Sequence, residues 1–185
     1  MQIEYVTGNS GKFLEAQAVL DHWTLEQVNL DIVEVQGTQQ EIIIAKAKSA
    51  LEVLKRPLIV DDVGLFCNAL NGLPGPYAKD FLEKLEEDGL SNLIHRYDDH
   101  RCHYICAVAF VKPNGEPQVF EGRIDGRIVA PRGTLLHGHR SFNTIFEPEG
   151  MNQTLGEMTI EDMAKFAGRS IALKKLRTYL EQHDS

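Results

Sequence analysis

Residues 1–12 of the chain read MQIEYVTGNSGK, a segment typical of the start of an α/β protein. The alternating apolar residues Ile3 and Tyr5 predict a β-strand, and the polar run at 7–12 predicts a tight turn. An amphipathic pattern from Phe13 onward predicts a helix directly after the turn. Because a helix N-terminus carries free backbone N–H groups, this arrangement can hold an anion.

The polar turn has two interpretations. Its glycines, Gly8 and Gly11, let the backbone approach a bound group closely. The side chains able to donate hydrogen bonds to phosphate oxygens are those of Thr7, Asn9, Ser10 and Lys12. An ordinary strand-to-helix turn capped by Asn9 or Ser10 explains the same residues. The pattern matches neither a P-loop nor GxGxxG, so the turn alone does not choose between phosphate binding and capping.

The composition is that of a folded protein of moderate size. The chain has 185 residues, 43% of them hydrophobic, so we expect a single domain over residues 1–185, in one or two lobes. Its net charge of −8 argues against a surface that coats nucleic acid. No stretch approaches the roughly 20 apolar residues of a membrane span. Three cysteines suit a reducing compartment, so we expect a cytoplasmic protein. From the charge and the lack of a long apolar stretch, we expect neither nucleic-acid nor membrane partners.

Two kinds of apolar pattern alternate along the chain. Strand-like segments lie near 3–7, 24–34, 58–61, 103–111 and 118–129. Helix-like segments lie near 13–22, 40–55, 78–87, 91–97 and 160–181. The turn sequence at 113–115 predicts a hairpin, so the sheet should contain antiparallel as well as parallel strands. The sequence therefore predicts an α/β fold with a mixed sheet flanked by helices.

Two adjacent aspartates, Asp61 and Asp62, are predicted to end the strand at 58–61. Neighbouring residues on a strand point to opposite faces, so one carboxylate can face a cleft while the other supports it. Ligands of α/β proteins bind at the carboxyl ends of strands. The same residues would also suit a turn in which aspartates cap a loop.

A third acidic residue and a lysine add to these aspartates. Glu34 ends another strand pattern, and Lys46 lies on the helix that follows, where a lone lysine usually faces solvent. Together with Lys12 and Asp62 they form the set that metal-assisted phosphoryl chemistry requires. Carboxylate oxygens hold Mg²⁺, and lysines neutralise developing negative charge.

Histidines and cysteines raise two further hypotheses. A zinc site near 95–106 is disfavoured because Cys102 and Cys106, on one strand, would lie about 13 Å apart. Two sulfur ligands at about 2.3 Å from one zinc ion cannot span that distance. The basic loop with His137 and His139 could reach a substrate phosphate or base, or be an ordinary surface loop. The sequence assigns these two histidines no role.

Several motifs match a known family in order along nearly the whole chain. They are residues 7–9 with Lys12, 34–37, Lys46, Asp61 and Asp62 with 64–65, 69–77, 126–133, and Thr154 with 156–158. In these motifs the chain resembles the inosine triphosphate pyrophosphatase family. The resemblance implies an elongated mixed-sheet α/β fold with two lobes around a central cleft, and a homodimer.

The resemblance also implies an activity and a set of site residues. The activity is Mg²⁺-dependent hydrolysis of deaminated purine nucleoside triphosphates (ITP, dITP and XTP) to the monophosphate and pyrophosphate. The implied catalytic residues are Asp62, Asp61, Lys12 and Lys46, and the implied metal ligands are Glu34 and Asp62. The implied substrate-binding residues are Thr7, Gly8, Asn9, Ser10, Lys12, Lys46, Phe142, Asn143 and Arg169. Water would attack the α-phosphorus in line with a pyrophosphate leaving group.

The chain departs from the family pattern mainly around the base. Where the family has an aromatic residue followed by aspartate, this chain has Phe142 and Asn143. The Ser-His-Arg motif falls on Ala167, Gly168 and Arg169. Other departures are Met163 where a lysine is usual, with Lys165 nearby, and Val63 in place of a hydroxyl residue. An amide both donates and accepts hydrogen bonds whereas a carboxylate only accepts, so base recognition is expected to differ.

Three hypotheses therefore stay open from the sequence. The first is a pyrophosphatase for deaminated purine triphosphates. The second keeps this chemistry but assigns a different or modified nucleobase, because Asn143, Ala167 and Gly168 depart from the family. The third is a nucleotide-binding protein with little turnover, which is weakened by the presence of Lys12 and both aspartates.

Overall fold

The computed structural model describes residues 1–33, 35–134 and 141–183. Within these ranges the chain forms seven β-strands and five α-helices. The strands are β1 Gln2–Val6, β2 Thr24–Val28, β3 Leu58–Cys67, β4 Pro74–Gly75, β5 Arg101–Val111, β6 Gln118–Ile128 and β7 Phe146–Pro148. The helices are α1 Ser10–Val19, α2 Gln39–Leu54, α3 Ala78–Ile94, α4 Ile160–Phe166 and α5 Gly168–His183. No helix among the described residues has both the length and the apolar character needed to cross a membrane.

The strands form a mixed sheet, which confirms the predicted α/β class. Its order is β2-β1-β3-β5-β6-β7, with β4 beside β3. Strand β1 pairs in parallel with both β2 and β3, whereas β4 and β7 pair antiparallel with β3 and β6. The predicted hairpin at 113–115 joins the neighbouring strands β5 and β6, and Asn114 adopts the left-handed conformation there, with φ of 64°.

The chain divides into two compact units, each with its own core. The first unit comprises Met1–Asp62, Cys106–Gly122 and Gly168–Ser185, and the second comprises Val63–Ile105 and Arg123–Ala167. Core residues of the first unit include Val6, Ile43, Ala47, Leu58, Val60, Ala107 and Ala109. Core residues of the second include Leu65, Leu82, Leu90, Tyr104, Ile128 and Phe146.

Helix α2 illustrates how local sequence fixes an element of the first unit. A capping box begins it: Thr38 Oγ1 accepts from the Glu41 N–H at 3.3 Å, and Glu41 Oε2 accepts from the Thr38 N–H at 2.8 Å. The helix ends at Lys55, which takes the left-handed conformation with φ of 54°. Its buried side chains Ile43, Ala47 and Ala50 recur at helical spacing and form the face that packs on the core of the first unit.

Two predicted strand boundaries were wrong. Strand β3 continues through Asp61 and Asp62 to Cys67, so the aspartates lie inside a strand and not at its end. In the sheet, β3 lies beside β5, whose 11 residues offer a long partner for the extended strand. Strand β2 ends at Val28 instead of continuing toward residue 34.

The predicted helix at 160–181 is in fact two helices, α4 and α5. Ala167 separates them with an extended ψ of 147°. Gly168 then approaches β6 so closely that a Cβ on Gly122 would lie 1.9 Å from the Gly168 carbonyl oxygen. Conversely, the predicted helices 78–87 and 91–97 correspond largely to one, α3, which is interrupted at Glu86 by a φ of 59°.

Candidate active site

The polar turn between β1 and α1 is organised by its own side chains. The Thr7 N–H donates to the Val28 carbonyl at 2.9 Å, which ties the turn to β2. Thr7 Oγ1 accepts from the Asn9 N–H at 3.1 Å, and Asn9 Oδ1 accepts from the Lys12 N–H at 3.1 Å. Asn9 is therefore the N-cap of α1, as one of the two interpretations predicts. Capping fixes the direction of the helix N-terminus, where a negative charge is favoured.

Asp61 lies on the face of β3 that α1 and α5 cover. Its side chain is 3% exposed, and its Oδ2 atom accepts from Lys12 Nζ at 2.9 Å. Arg169 Nε and Nη2 donate to the same oxygen at 3.1 Å, and Nη1 donates to Glu15 Oε2 at 3.0 Å. Burial alone would raise the pKa of Asp61, but the charges of Lys12 and Arg169 outweigh it and hold the pKa well below its ordinary value. Asp61 is therefore a carboxylate.

A cysteine lies close to the same ionic cluster. Cys106 is buried on β5, and burial raises the pKa of its thiol to about 12. The positive charge of Arg169 opposes that shift without cancelling it. Because the thiolate is the nucleophilic form of cysteine, Cys106 does not act as a nucleophile at neutral pH.

Asp62 points to the opposite face of the strand, where α2 packs. Gln39 Nε2 donates to the Asp62 carbonyl at 3.4 Å, and Lys46 Nζ donates to the Asp61 carbonyl at 3.3 Å. Lys46 is half-buried, so this helical lysine does not simply face solvent. The two aspartates thus lie on opposite faces of the strand, as predicted, and Asp61 contacts Lys12 through its side chain and Lys46 through its carbonyl.

The structure places most of the predicted catalytic, metal-binding and substrate-binding residues in the first unit. These residues are Thr7, Gly8, Asn9, Ser10, Lys12, Lys46, Asp61, Asp62 and Arg169. Arg169 forms ion pairs with Asp61 and Glu15. Glu34, His137 and His139 lie outside the described residues.

The two predicted base-contacting residues belong to the second unit. Phe142 is 8% exposed, and its ring lies edge-on to Phe146 at 6.0 Å between centroids, within the core. The Asn143 N–H donates to Ser141 Oγ at 3.3 Å, which shapes a short helical turn. Lys165, the alternative lysine, is 70% exposed and pairs with Asp162 at 2.7 Å. Roles in substrate binding for these residues stay predictions.

Two of the family-matching segments pack on each other within the second unit. Glu147 is buried, and Arg127 Nε donates to its Oε1 at 2.7 Å, while Arg132 pairs with its other oxygen. Thr154 Oγ1 donates to the Arg132 carbonyl at 2.9 Å. Gly133 has a φ of 82°, and a Cβ there would lie 2.2 Å from the Gly156 carbonyl oxygen. These contacts give the segments 126–133 and 154–157 a structural role.

Sequence reasoning missed Glu15 and Tyr5, which surround the Asp61 cluster. Glu15 follows Lys12 by three residues on α1, and this spacing alone places both on one helix face. Tyr5 alternates with Ile3 on β1, and this pattern predicts a β-strand without indicating a role for the hydroxyl. The local spacing of both residues is visible in the sequence. Their place in the cluster is not, because Arg169, the partner of Glu15, lies 154 residues further along the chain.

Together, these features define an α/β protein with a capped strand-turn-helix beside paired carboxylates and lysines. The model of the Ham1 family matches residues 3–179, and the chain belongs to this family. It is 38% identical over 185 residues to the inosine triphosphate pyrophosphatase of Pyricularia oryzae, covering 99% of this chain and 95% of the relative. The enzyme of the same name from Schizosaccharomyces pombe is 38% identical over 181 residues, covering 97% and 95%.

Solved structures share the fold. The Ham1 protein of Staphylococcus aureus has a TM-score of 0.86 at 24% identity, covering 98% of this chain and 99% of that one. A HAM1 protein from Coxiella burnetii has a TM-score of 0.87 at 24% identity, with the same coverage. A nucleoside-triphosphatase / dITP/XTP pyrophosphatase from Mycobacterium abscessus has a TM-score of 0.72 at 26% identity, covering 93% and 97%. The predicted fold class is confirmed.

Proposed function

We propose that this protein hydrolyses deaminated purine nucleoside triphosphates, such as ITP, dITP and XTP, to the monophosphate and pyrophosphate. The observation that carries the proposal is the identity of 38%, over 97–99% of the chain, with relatives named inosine triphosphate pyrophosphatase. The same proposal includes a cytoplasmic homodimer whose subunit is a single domain of two lobes. Its partner is the nucleoside triphosphate.

The turn between β1 and α1 supports binding of the triphosphate. Backbone N–H groups at the start of α1 and the hydroxyls of Thr7 and Ser10 can donate to phosphate oxygens, and Gly8 leaves room for them. Lys12 adds a positive charge directly beside the turn. Lys46 contributes a second cation from α2, hydrogen-bonded to the Asp61 carbonyl. Two lysines suit a substrate whose negative charge is concentrated in three phosphates.

Of the two aspartates, Asp62 is the better candidate to orient the attacking water. Asp61 is 3% exposed and its charge is already neutralised by Lys12 and Arg169, so it has little capacity to accept a proton. Asp62 is half-buried and so more accessible to water than Asp61, and it lies on the other face of β3. We therefore assign Asp61 to positioning Lys12 and Asp62 to catalysis.

The donor set also suits Mg²⁺. This ion is usually held by one or two carboxylates together with substrate phosphates, and Asp62 with Glu34 provides that number. Among the described residues no cluster of three or more acidic, histidine or cysteine side chains forms a metal cage. A bound Mg²⁺ would neutralise charge on the leaving pyrophosphate. Asp62 would then both ligate the ion and orient water.

Pyrophosphate release is the direct test of the proposal. Purified protein is assayed with ITP, XTP and ATP, each with and without Mg²⁺, and the nucleotide product is identified by chromatography. We expect inosine or xanthosine monophosphate and pyrophosphate, at a rate well above that with ATP. Absence of release from every triphosphate would overturn the proposal. Efficient hydrolysis without preference for ITP or XTP would favour the same chemistry on another nucleobase, the hypothesis that Asn143 motivates.

A further inference from the structure

The hydroxyl of Tyr5 has no apparent purpose in the fold. Tyr5 lies on β1 between β2 and β3, and its side chain is completely buried. Among the described residues its hydroxyl oxygen has no partner at full hydrogen-bond geometry, although it lies near enough to the Asp61 carboxylate to interact with it. Buried polar groups in proteins nearly always have a partner, and a phenylalanine would fill the same space without this cost. An unpaired buried hydroxyl in such a place calls for a functional explanation.

The strand register places this hydroxyl beside Asp61. Tyr5 pairs with Ile59 in the parallel ladder between β1 and β3, so the two side chains share a face of the sheet. Asp61 follows Ile59 by two residues and shares that face as well. Burial raises the pKa of the Tyr5 phenol, and the negative charge of Asp61 raises it further, which agrees with their proximity. Tyr5 therefore remains a neutral hydrogen-bond donor.

The two cations on Asp61 are held very differently. Arg169 binds Asp61 with two nitrogens and Glu15 with a third, which anchors the guanidinium from both sides. Lys12 makes one contact with Asp61, and its side chain is 29% exposed against 18% for Arg169. Lys12 also follows the capped turn that we assign to phosphate binding. Lys12 is thus the partner able to leave.

We propose that Tyr5 is a positioning residue, which donates a hydrogen bond to Asp61 when Lys12 leaves that carboxylate for the phosphates of the substrate. The part concerning the substrate rests on the function proposed above. When Lys12 leaves, Arg169 remains on Asp61, but the buried carboxylate loses one of its two cations, and a buried charge that is only partly compensated is unfavourable. A donor waiting beside the carboxylate lowers that cost, so Lys12 can be transferred to the nucleotide.

A double-mutant cycle tests the exchange without any nucleotide. The free energy of unfolding in urea is measured for the wild type, Tyr5→Phe, Lys12→Met and the double variant. With Lys12 present, Tyr5→Phe should change the unfolding equilibrium constant by no more than about twofold, since no well-formed hydrogen bond is lost. With methionine at position 12, the same change should raise the constant about tenfold, since the bond to Asp61 is then lost. An equal effect in both backgrounds would overturn the proposal.

Tyr179 provides a matched control in the same unit. Its ring packs against Phe110 and Phe120, with centroids 6.4 and 5.4 Å away. Tyr179→Phe should have the same effect on unfolding whether residue 12 is lysine or methionine. A difference for Tyr179 as large as that for Tyr5 would show a general loosening of the unit and would count against the exchange.

Steady-state kinetics provide a second measurement in case the double variant does not fold. In the Tyr5→Phe variant we expect KM for ITP to rise about tenfold with kcat nearly unchanged, because the cost of freeing Lys12 falls on binding. An unchanged KM, or a fall in kcat alone, would overturn the proposal. If the wild type neither binds nor hydrolyses triphosphates, the proposed function fails, whereas the unfolding cycle still decides whether Tyr5 replaces Lys12 on Asp61.

Discussion

Each unit contains a buried carboxylate neutralised by two cations, and the comparison separates structure from function. Glu147 and Asp61 are both 3% exposed. The cations on Glu147 are two arginines, and one of them, Arg132, is also bonded through its carbonyl to Thr154. One of the two cations on Asp61 is a lysine, Lys12, from the first turn of α1. Arginine fixes geometry, whereas lysine is a point charge on a flexible stem. Of these two clusters, the one around Asp61 is therefore the one that we expect to release a cation, Lys12, to a ligand.

The largest effect should come from removing the carboxylate of the second unit. Glu147→Ala leaves Arg127 and Arg132 without their shared partner, and we expect a loss of about 3–5 kcal/mol in the free energy of unfolding. Chemical denaturation measures this loss. Glu149→Ala, an exposed residue next to the same strand, should stay within about 0.5 kcal/mol of the wild type and serves as the control. If Glu147→Ala were no worse than this control, the structural side of the comparison would fail.

Next in size is the loss of Lys12, which should affect activity far more than its exposure suggests. Lys12→Met is expected to lower kcat/KM for ITP by about 100-fold, because one cation at the developing phosphate charge is lost. Its unfolding free energy should fall less than that of Glu147→Ala, since Arg169 still pairs with Asp61. Lys48→Met, at an exposed pair with Glu116, is the control. A Lys12 variant with full activity but a large loss of stability would reverse the roles of the two clusters.

A smaller effect, on selectivity, is expected in the second unit. Asn143→Asp restores the carboxylate that is usual in the resembled family and should raise the preference for ITP over ATP about tenfold, since one matched polar contact is worth about 1–3 kcal/mol. The ratio of the two kcat/KM values measures the effect, and Asn152→Asp, at an exposed position, is the control. An unchanged ratio would mean that Asn143 does not contact the base.

Much of the fold was predictable because its elements are encoded locally. The first strand, the turn capped by Asn9, the helix beginning with Thr38 and Glu41, and the hairpin at Asn114 all depend on neighbouring residues. The exceptions depend on distant contacts. The break at Ala167 reflects the approach of Gly168 to Gly122, which no window of local sequence contains.

For the candidate site, the sequence indicated residues whose roles stay predictions, and it indicated few of the contacts between them. Spacing on β3 correctly placed Asp61 and Asp62 on opposite faces. It could not indicate that Arg169 is hydrogen-bonded to Asp61, because the two residues are 108 positions apart in the sequence. For the same reason, the sequence did not distinguish which aspartate is neutralised by cations. The structure of the Asp61 cluster supplies that distinction.

The smallest predicted effect concerns pH and the cluster of the second unit. Burial tends to raise the pKa of Glu147, but its hydrogen bonds to Arg127 and Arg132 prevail and lower it. A lowered pKa contributes stability that is complete above the unfolded value, about 4.3, and is lost as pH falls through the folded value. The difference in unfolding free energy between the wild type and Glu147→Gln should therefore be constant from about pH 6 to 8 and shrink below about pH 4. Glu149→Gln should show no such trend, and a difference that grew on acidification would mean that burial, and not the arginines, determines the pKa of Glu147.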